Sequence, residues 1–267
     1  MAELKVNIEE GDGCFYAHAT EFLGCFSKAN SRSEAIDVIL KDVKQFSKWL
    51  LTLDFDNKIK TMCKNFLSGI NELQVIEELK GFSNLADSTG ASGLFKSDIE
   101  AISEELFEFY IMIINKLPDE LLRIVFQYSN EERNQELLPG KPTINSELKD
   151  IYSTEIFFIG RFGEDVEEKF FDAINLTKDE LESLSILERV VKVRQGAIAI
   201  LRSYYPKLGD RVFKSAGDSE YPEEQWTIKK VIRKFIEHER ERINAIRVLV
   251  EVMEEQKRVT LTSESGK

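Results

Sequence analysis

The chain has only two histidines, His18 and His238, and any histidine chemistry must run through one of them. His238 stands in the run KFIEHERERI, Lys234 to Ile243. Val231, Phe235, His238, Arg242, Ala245 and Leu249 are spaced 4, 3, 4, 3 and 4, so His238 and Arg242 fall on the apolar stripe of a helix. A histidine there is either one edge of a metal site or a packed side chain. Arginine is almost never buried without a partner, so something inside the fold should balance Arg242. His18 lies four residues after Cys14 on a strand pattern, which puts both on one face but about 13 Å apart in an extended chain. That distance is too long for a thiolate–imidazole pair, and Cys14, Cys25 and Cys63 are expected to pack the sheet.

Other chemistry is thinly supported. GDG and STGASG lack the Lys-Ser/Thr and the strand-to-helix context of a phosphate loop. The 48 acidic residues contain no pair specific enough to name as an acid/base dyad. The aromatic run EIFFIGRF, Glu155 to Phe162, reads as core. Lys229, Lys230, Arg233 and Lys234 form the best local basic patch, and they read as a solvated helix face.

Composition narrows the class. A net charge of -12 and a pI of about 4.9 repel phosphate backbones, so no nucleic-acid partner is expected. Three unpatterned cysteines do not make a disulfide framework and suit a reducing compartment. The longest apolar run, FYIMIINKL, is about half the length a membrane helix needs. The alternating opening LKVNIEE reads as a folded strand rather than a leader. A soluble, cytoplasmic protein follows, and 267 residues suit two domains.

The elements that would position these residues can be read in order. Leu4, Val6 and Ile8 alternate with Lys5 and Asn7, as in a strand. EGDG is a turn, CFYAHAT a second strand, and FLGCFSKA a short third strand after Gly24. SRSEAIDVILKDVKQFSKWLL is a helix capped by Ser31 or Ser33. TLDFDNKIKTMCKNFL has helical character and ELQVIEEL strand character. SNLADSTGASG is a loop and the natural boundary. Beyond it four helices are expected: Asp98 to Pro118, a helix from Asn145 or Ser146 to Gly163, Thr177 to Pro206, and a last helix from Pro222.

The run VNIEEGDGCFYAHATEFLGCFSKANSRSEAIDVI resembles the HicB antitoxin domain. The resemblance rests on Gly13 before Phe15 and Tyr16, and on Gly24-Cys25-Phe26 followed by a Ser-Glu-Ala helix start. It covers roughly residues 3 to 50. It implies a small strand-strand-strand-helix module, partly ribonuclease-H-like in shape, that docks on a protein partner. The separate DNA-binding domain of HicB antitoxins has no matching helix-turn-helix or ribbon-helix-helix pattern here.

A second stretch, WTIKKVIRKFIEHERERINAI, resembles the last helix of the DinB-like bundle family, which includes metal-dependent thiol transferases. SELKDIYSTEIFFIGR is similar to that family's second helix, in which a leucine is followed by a histidine two residues on and a glutamate five later. The resemblance covers about Leu94 to Glu255. It implies a divalent metal held by three histidines, at positions that in this chain are Asp150, His238 and Arg242. A guanidinium has no lone pair for a metal. Three readings stay open. Arg242 replaces the metal and pairs with Asp150 and Glu155 beside His238; or Arg242 snorkels to the surface; or Asp150, His238 and Glu155 or Glu239 still hold a metal.

The expected fold class is α+β: a small antiparallel sheet plus helix (HicB-like), followed by an all-α up-down four-helix bundle (DinB-like). The boundaries are 1–52 for the first module, 53–93 for a connecting segment, 94–257 for the bundle and 258–267 for a flexible tail. The expected function is a binding or interaction protein that has lost metal and catalysis, with no cofactor. Its partner would be a protein or a small-molecule ligand, not a membrane, and a homodimer is left open. The alternatives are an enzyme dependent on a divalent metal such as nickel or zinc, and a HicB-like antitoxin or regulator.

Overall fold

The computed structural model describes residues 2–55, 57–82, 92–214, 221 and 223–265, with side chains to residue 259. The chain divides into two units: Met1–Ile102 with Leu208–Glu237, and Ser103–Lys207 with His238–Lys267.

The first unit begins with a hairpin of β1 (Ala2–Gly11) and β2 (Cys14–Ala19). Asp12 and Gly13 both take positive φ, the two-residue turn whose twist suits a hairpin. β3 (Phe26–Ala29) pairs antiparallel with β2. Gly24, at φ +94°, precedes it, and a Cβ there would fall 2.2 Å from Ile236, so only glycine fits. Next come α1 (Arg32–Leu50), capped by Ser31, and α2 (Asn57–Ser68). The ring of Phe22 packs 5.5 Å from Phe46 of α1 and 5.4 Å from Phe66 of α2. β4 (Ile70–Phe82) then pairs in parallel with β1. The sheet is therefore mixed, in the order β3-β2-β1-β4, where an antiparallel one was expected. The intervening α1 and α2 give the chain the crossover that a parallel strand requires. Residues 53–93 thus supply a helix and an edge strand; 83–91 of the expected loop lie outside the described residues. A short α3 (Lys96–Ile99) follows.

In the second unit, α4 (Glu104–Val125) runs straight through Pro118, which was expected to end it. α5 (Asn130–Arg133) leads to α6 (Ile144–Gly160), whose cap is Thr143 rather than Asn145 or Ser146. α7 (Val166–Ile174) follows. The stretch expected as one helix from Thr177 is two, α8 (Lys178–Ser183) and α9 (Ile186–Leu208). The break has a local cause. Ser185 and Glu188 cap a new start reciprocally: Ser185 N donates to Glu188 Oε2 at 2.9 Å, and Glu188 N to Ser185 Oγ at 3.4 Å.

The chain returns to the first unit with β5 (Phe213–Lys214) and β6 (Gln225–Trp226). α10 (Ile228–Ser265) begins after Thr227, whose Oγ1 accepts from Lys230 N, so it starts later than Pro222, which lies outside the described residues. It runs on into the stretch expected as a tail, because neither proline nor glycine interrupts it before Gly266. Residues 266 and 267 lie outside the described residues. Among the described residues no helix is long and apolar enough to cross a membrane.

Candidate functional site

The residues singled out by spacing meet in the second unit, where α6 offers Glu147 and Asp150 and α10 offers His238 and Arg242. His238 Nε2 lies 3.0 Å from Asp150 Oδ2, and Arg242 Nε lies 3.2 Å from the same oxygen. The second contact is an ion pair not aligned as a hydrogen bond. Arg242 Nη1 donates to Glu147 Oε2 at 3.2 Å. The His238 ring stands edge-on to Phe158, centroids 6.2 Å apart. His238 is buried, while the Asp150 side chain is 39% exposed and that of Arg242 22%. The cluster is a rim with water on its carboxylate side. Burial alone would raise the Asp150 carboxyl; the hydrogen bond and charge of His238, then the charge of Arg242, more than offset it and hold it below the usual range.

Glu155 is not in this rim. It accepts from Arg194 of α9, from Nε at 3.2 Å and also from Nη2. Arg194 Nη2 lies 2.8 Å from Glu239 Oε2 of α10, and Nη1 donates to the carbonyl of Ile114 in α4. That carbonyl is free because its helical partner would be the N–H of residue 118, which proline lacks. Arg194 fills the gap Pro118 leaves, which is why α4 continues. One guanidinium thus joins all four long helices of the unit. Two buried carboxylates against one guanidinium leave a negative charge uncompensated. Burial raises both carboxyls despite Arg194, Glu239 to about 8 with help from the charge of Glu155, so the pair keeps a proton at neutral pH. The signal for Arg194 was in the sequence: Val190, Arg194, Ala197 and Leu201 repeat the spacing that drew attention to Arg242.

The first unit holds a second set of buried charges, and here the solvated-face reading of Lys229, Lys230, Arg233 and Lys234 fails. Lys229, Lys230 and Arg233 are buried and only Lys234 is partly exposed, because α10 is covered on nearly every side over this stretch. Arg233 grips Asp98 with two bonds, Nε to Oδ1 at 3.1 Å and Nη2 to Oδ2 at 2.9 Å. Lys230 Nζ donates to Ser92 O, Glu224 Oε1 and Gln225 O, each at 2.9 Å, and lies 4.3 Å over the Trp226 ring. Burial lowers its ammonium to about 8 against the pull of Glu224.

His18 sits between two carboxylates, Nδ1 2.8 Å from Glu237 Oε1 and Nε2 3.4 Å from Glu9 Oε2. Burial works against its charge, but Glu237 and then Glu9 outweigh it, and the imidazole is raised. Burial would likewise raise Glu9, yet the hydrogen bond and charge of His18 hold it low. With both ring nitrogens turned to carboxylates, His18 does not serve a thiol. Cys63 is pushed up to about 11 by burial, the state of an inert thiol. Sequence spacing gave no sign of this cluster, since its partners lie up to 219 positions apart.

The sequence matches no protein-family model and no curated protein. Among solved structures, YfiT from Bacillus subtilis, described as a probable metal-dependent hydrolase with an unusual four-helix bundle topology, is similar with a TM-score of 0.41 and 16% identity. The alignment covers 64% of this chain and 98% of that one. The likeness is too distant to carry residue roles.

Proposed function

We propose that this protein is a binding protein rather than a metal-dependent enzyme. Its helical unit is read as a DinB-like bundle in which Asp150, His238 and Arg242 form an ion-paired rim. The observation that carries this is the doubly engaged Asp150 Oδ2, with His238 on one side and the guanidinium of Arg242 on the other. A divalent cation there would have one imidazole and the carboxylates of Asp150 and Glu147 for ligands, and the fixed positive charge of Arg242 already pairs with both carboxylates. That donor set does not fit the metal. Glu155 and Glu239, the remaining candidates, are turned to Arg194. The first unit, through its HicB-like run, is read as the surface for a protein partner.

The test is metal content of the purified untagged chain, followed by calorimetric titration with nickel and zinc. No stoichiometric binding is expected. Stoichiometric metal that is lost in His238→Ala would overturn the proposal and return the bundle to the metal enzymes.

A further inference from the structure

A groove of about 560 Å³ lies in the second unit, on another stripe of α6 from the rim. Asn145, Lys149, Tyr152, Ser153 and Ile156 of α6 line one wall. Glu182 and the α9 residues Ile186 and Arg189 line the other. Its apolar floor is Ile156, Ile186 and the ring of Tyr152.

The charges around this floor are unequally committed. Arg189 is fixed by Glu182 Oε2 at 2.8 Å, by Leu184 O at 3.0 Å and by Tyr152 OH at 3.3 Å, so Glu182 and Arg189 neutralise each other. Asn145 is buried and locked in place, Oδ1 accepting from Arg133 Nε at 3.2 Å and Nδ2 donating to Asn130 Oδ1 at 3.0 Å. Lys149 has no carboxylate partner among the described residues and is exposed at the groove edge. The groove therefore presents one spare positive charge beside an apolar floor, in a chain whose net charge is -12. Pockets that bind small molecules combine an apolar lining with a few fixed polar groups.

We propose that this groove binds a small organic anion with a flat apolar body, the anion at Lys149 and the body against Tyr152, Ile156 and Ile186. The proposal gives the binding reading a ligand class, and it does not depend on His238 or on metal, so either can fail without the other.

The experiment is amide-resolved NMR of the full chain titrated with benzoate, and separately with benzylamine. Benzoate is expected to shift the amides of Tyr152, Ser153 and Ile186, and benzylamine to leave them. Lys149→Glu, at an exposed position that leaves the fold intact, should weaken benzoate by about tenfold or more, the scale of one lost charge-assisted contact. Ile186→Ala should weaken it without changing the preference for the anion. Equal binding of benzylamine, no response of benzoate to Lys149→Glu, or no shifts at the groove with benzoate would each overturn the proposal.

Discussion

Replacing Glu239 by glutamine should make the protein more stable, and more so the higher the pH. Glu239 is buried with Glu155 against a single guanidinium, and its carboxyl is raised from 4.5 to about 8. A carboxyl raised on folding keeps a proton that the unfolded chain has released. Stability therefore falls as pH rises from 4.5 through about 8, by about 1.4 kcal/mol per pH unit from this group alone. Over that window the cost reaches about 5 kcal/mol. Glutamine has the shape of the protonated acid and cannot ionise. Glu239→Gln should match the native protein near about pH 4, below the unfolded-state value, and exceed it by about 4–5 kcal/mol near about pH 9. The assay is urea unfolding across that range, followed by far-UV ellipticity, because both tryptophans, Trp49 and Trp226, lie in the first unit and do not report on the second. Parallel pH profiles for the two proteins would refute the reasoning, since they would mean that Glu239 is already ionised in the fold.

Arg194→Ala should cost on the order of 3–5 kcal/mol, because it strands two buried carboxylates and the Ile114 carbonyl. Adding Pro118→Ala should recover part of the loss by restoring a backbone donor to that carbonyl, seen as a double-mutant midpoint above the additive value. At the rim, Asp150→Asn and Arg242→Ala should couple by only about 1 kcal/mol or less, since water reaches both side chains. A coupling of about 3 kcal/mol or more in the same unfolding assay would mean that the pair is closed to solvent.

Short-range features were the most legible in the sequence. The Asp12-Gly13 turn, the Ser31 cap and the apolar stripe carrying His238 and Arg242 all depend on neighbours within a few residues. Pro118 shows where such reading stops. Its effect on a helix is a local rule, but the remedy comes from Arg194, a side chain 76 positions away. The same holds for β4, whose alternation marks a strand while its partner and direction are set by where the α1–α2 crossover delivers it. Lys230 and Arg233 were misread for a related reason. A helix face dense in lysine and arginine is ordinarily wet, and it takes distant Asp98 and Ser92, together with Glu224 six positions back from Lys230, to make it dry.

The order of the chain gives the paired histidine of the first unit a consequence in time. Glu9 and His18 leave the ribosome more than two hundred residues before Arg233 and Glu237, which follow only after the whole of Ser103–Lys207. Until then the hairpin carries a carboxylate and an imidazole on a face it cannot bury without cost. The first unit therefore cannot close until its own later stretch, Leu208–Glu237, has been made. A nascent or truncated chain that ends near residue 207 has the complete sequence of the hairpin without the charges that let it fold shut.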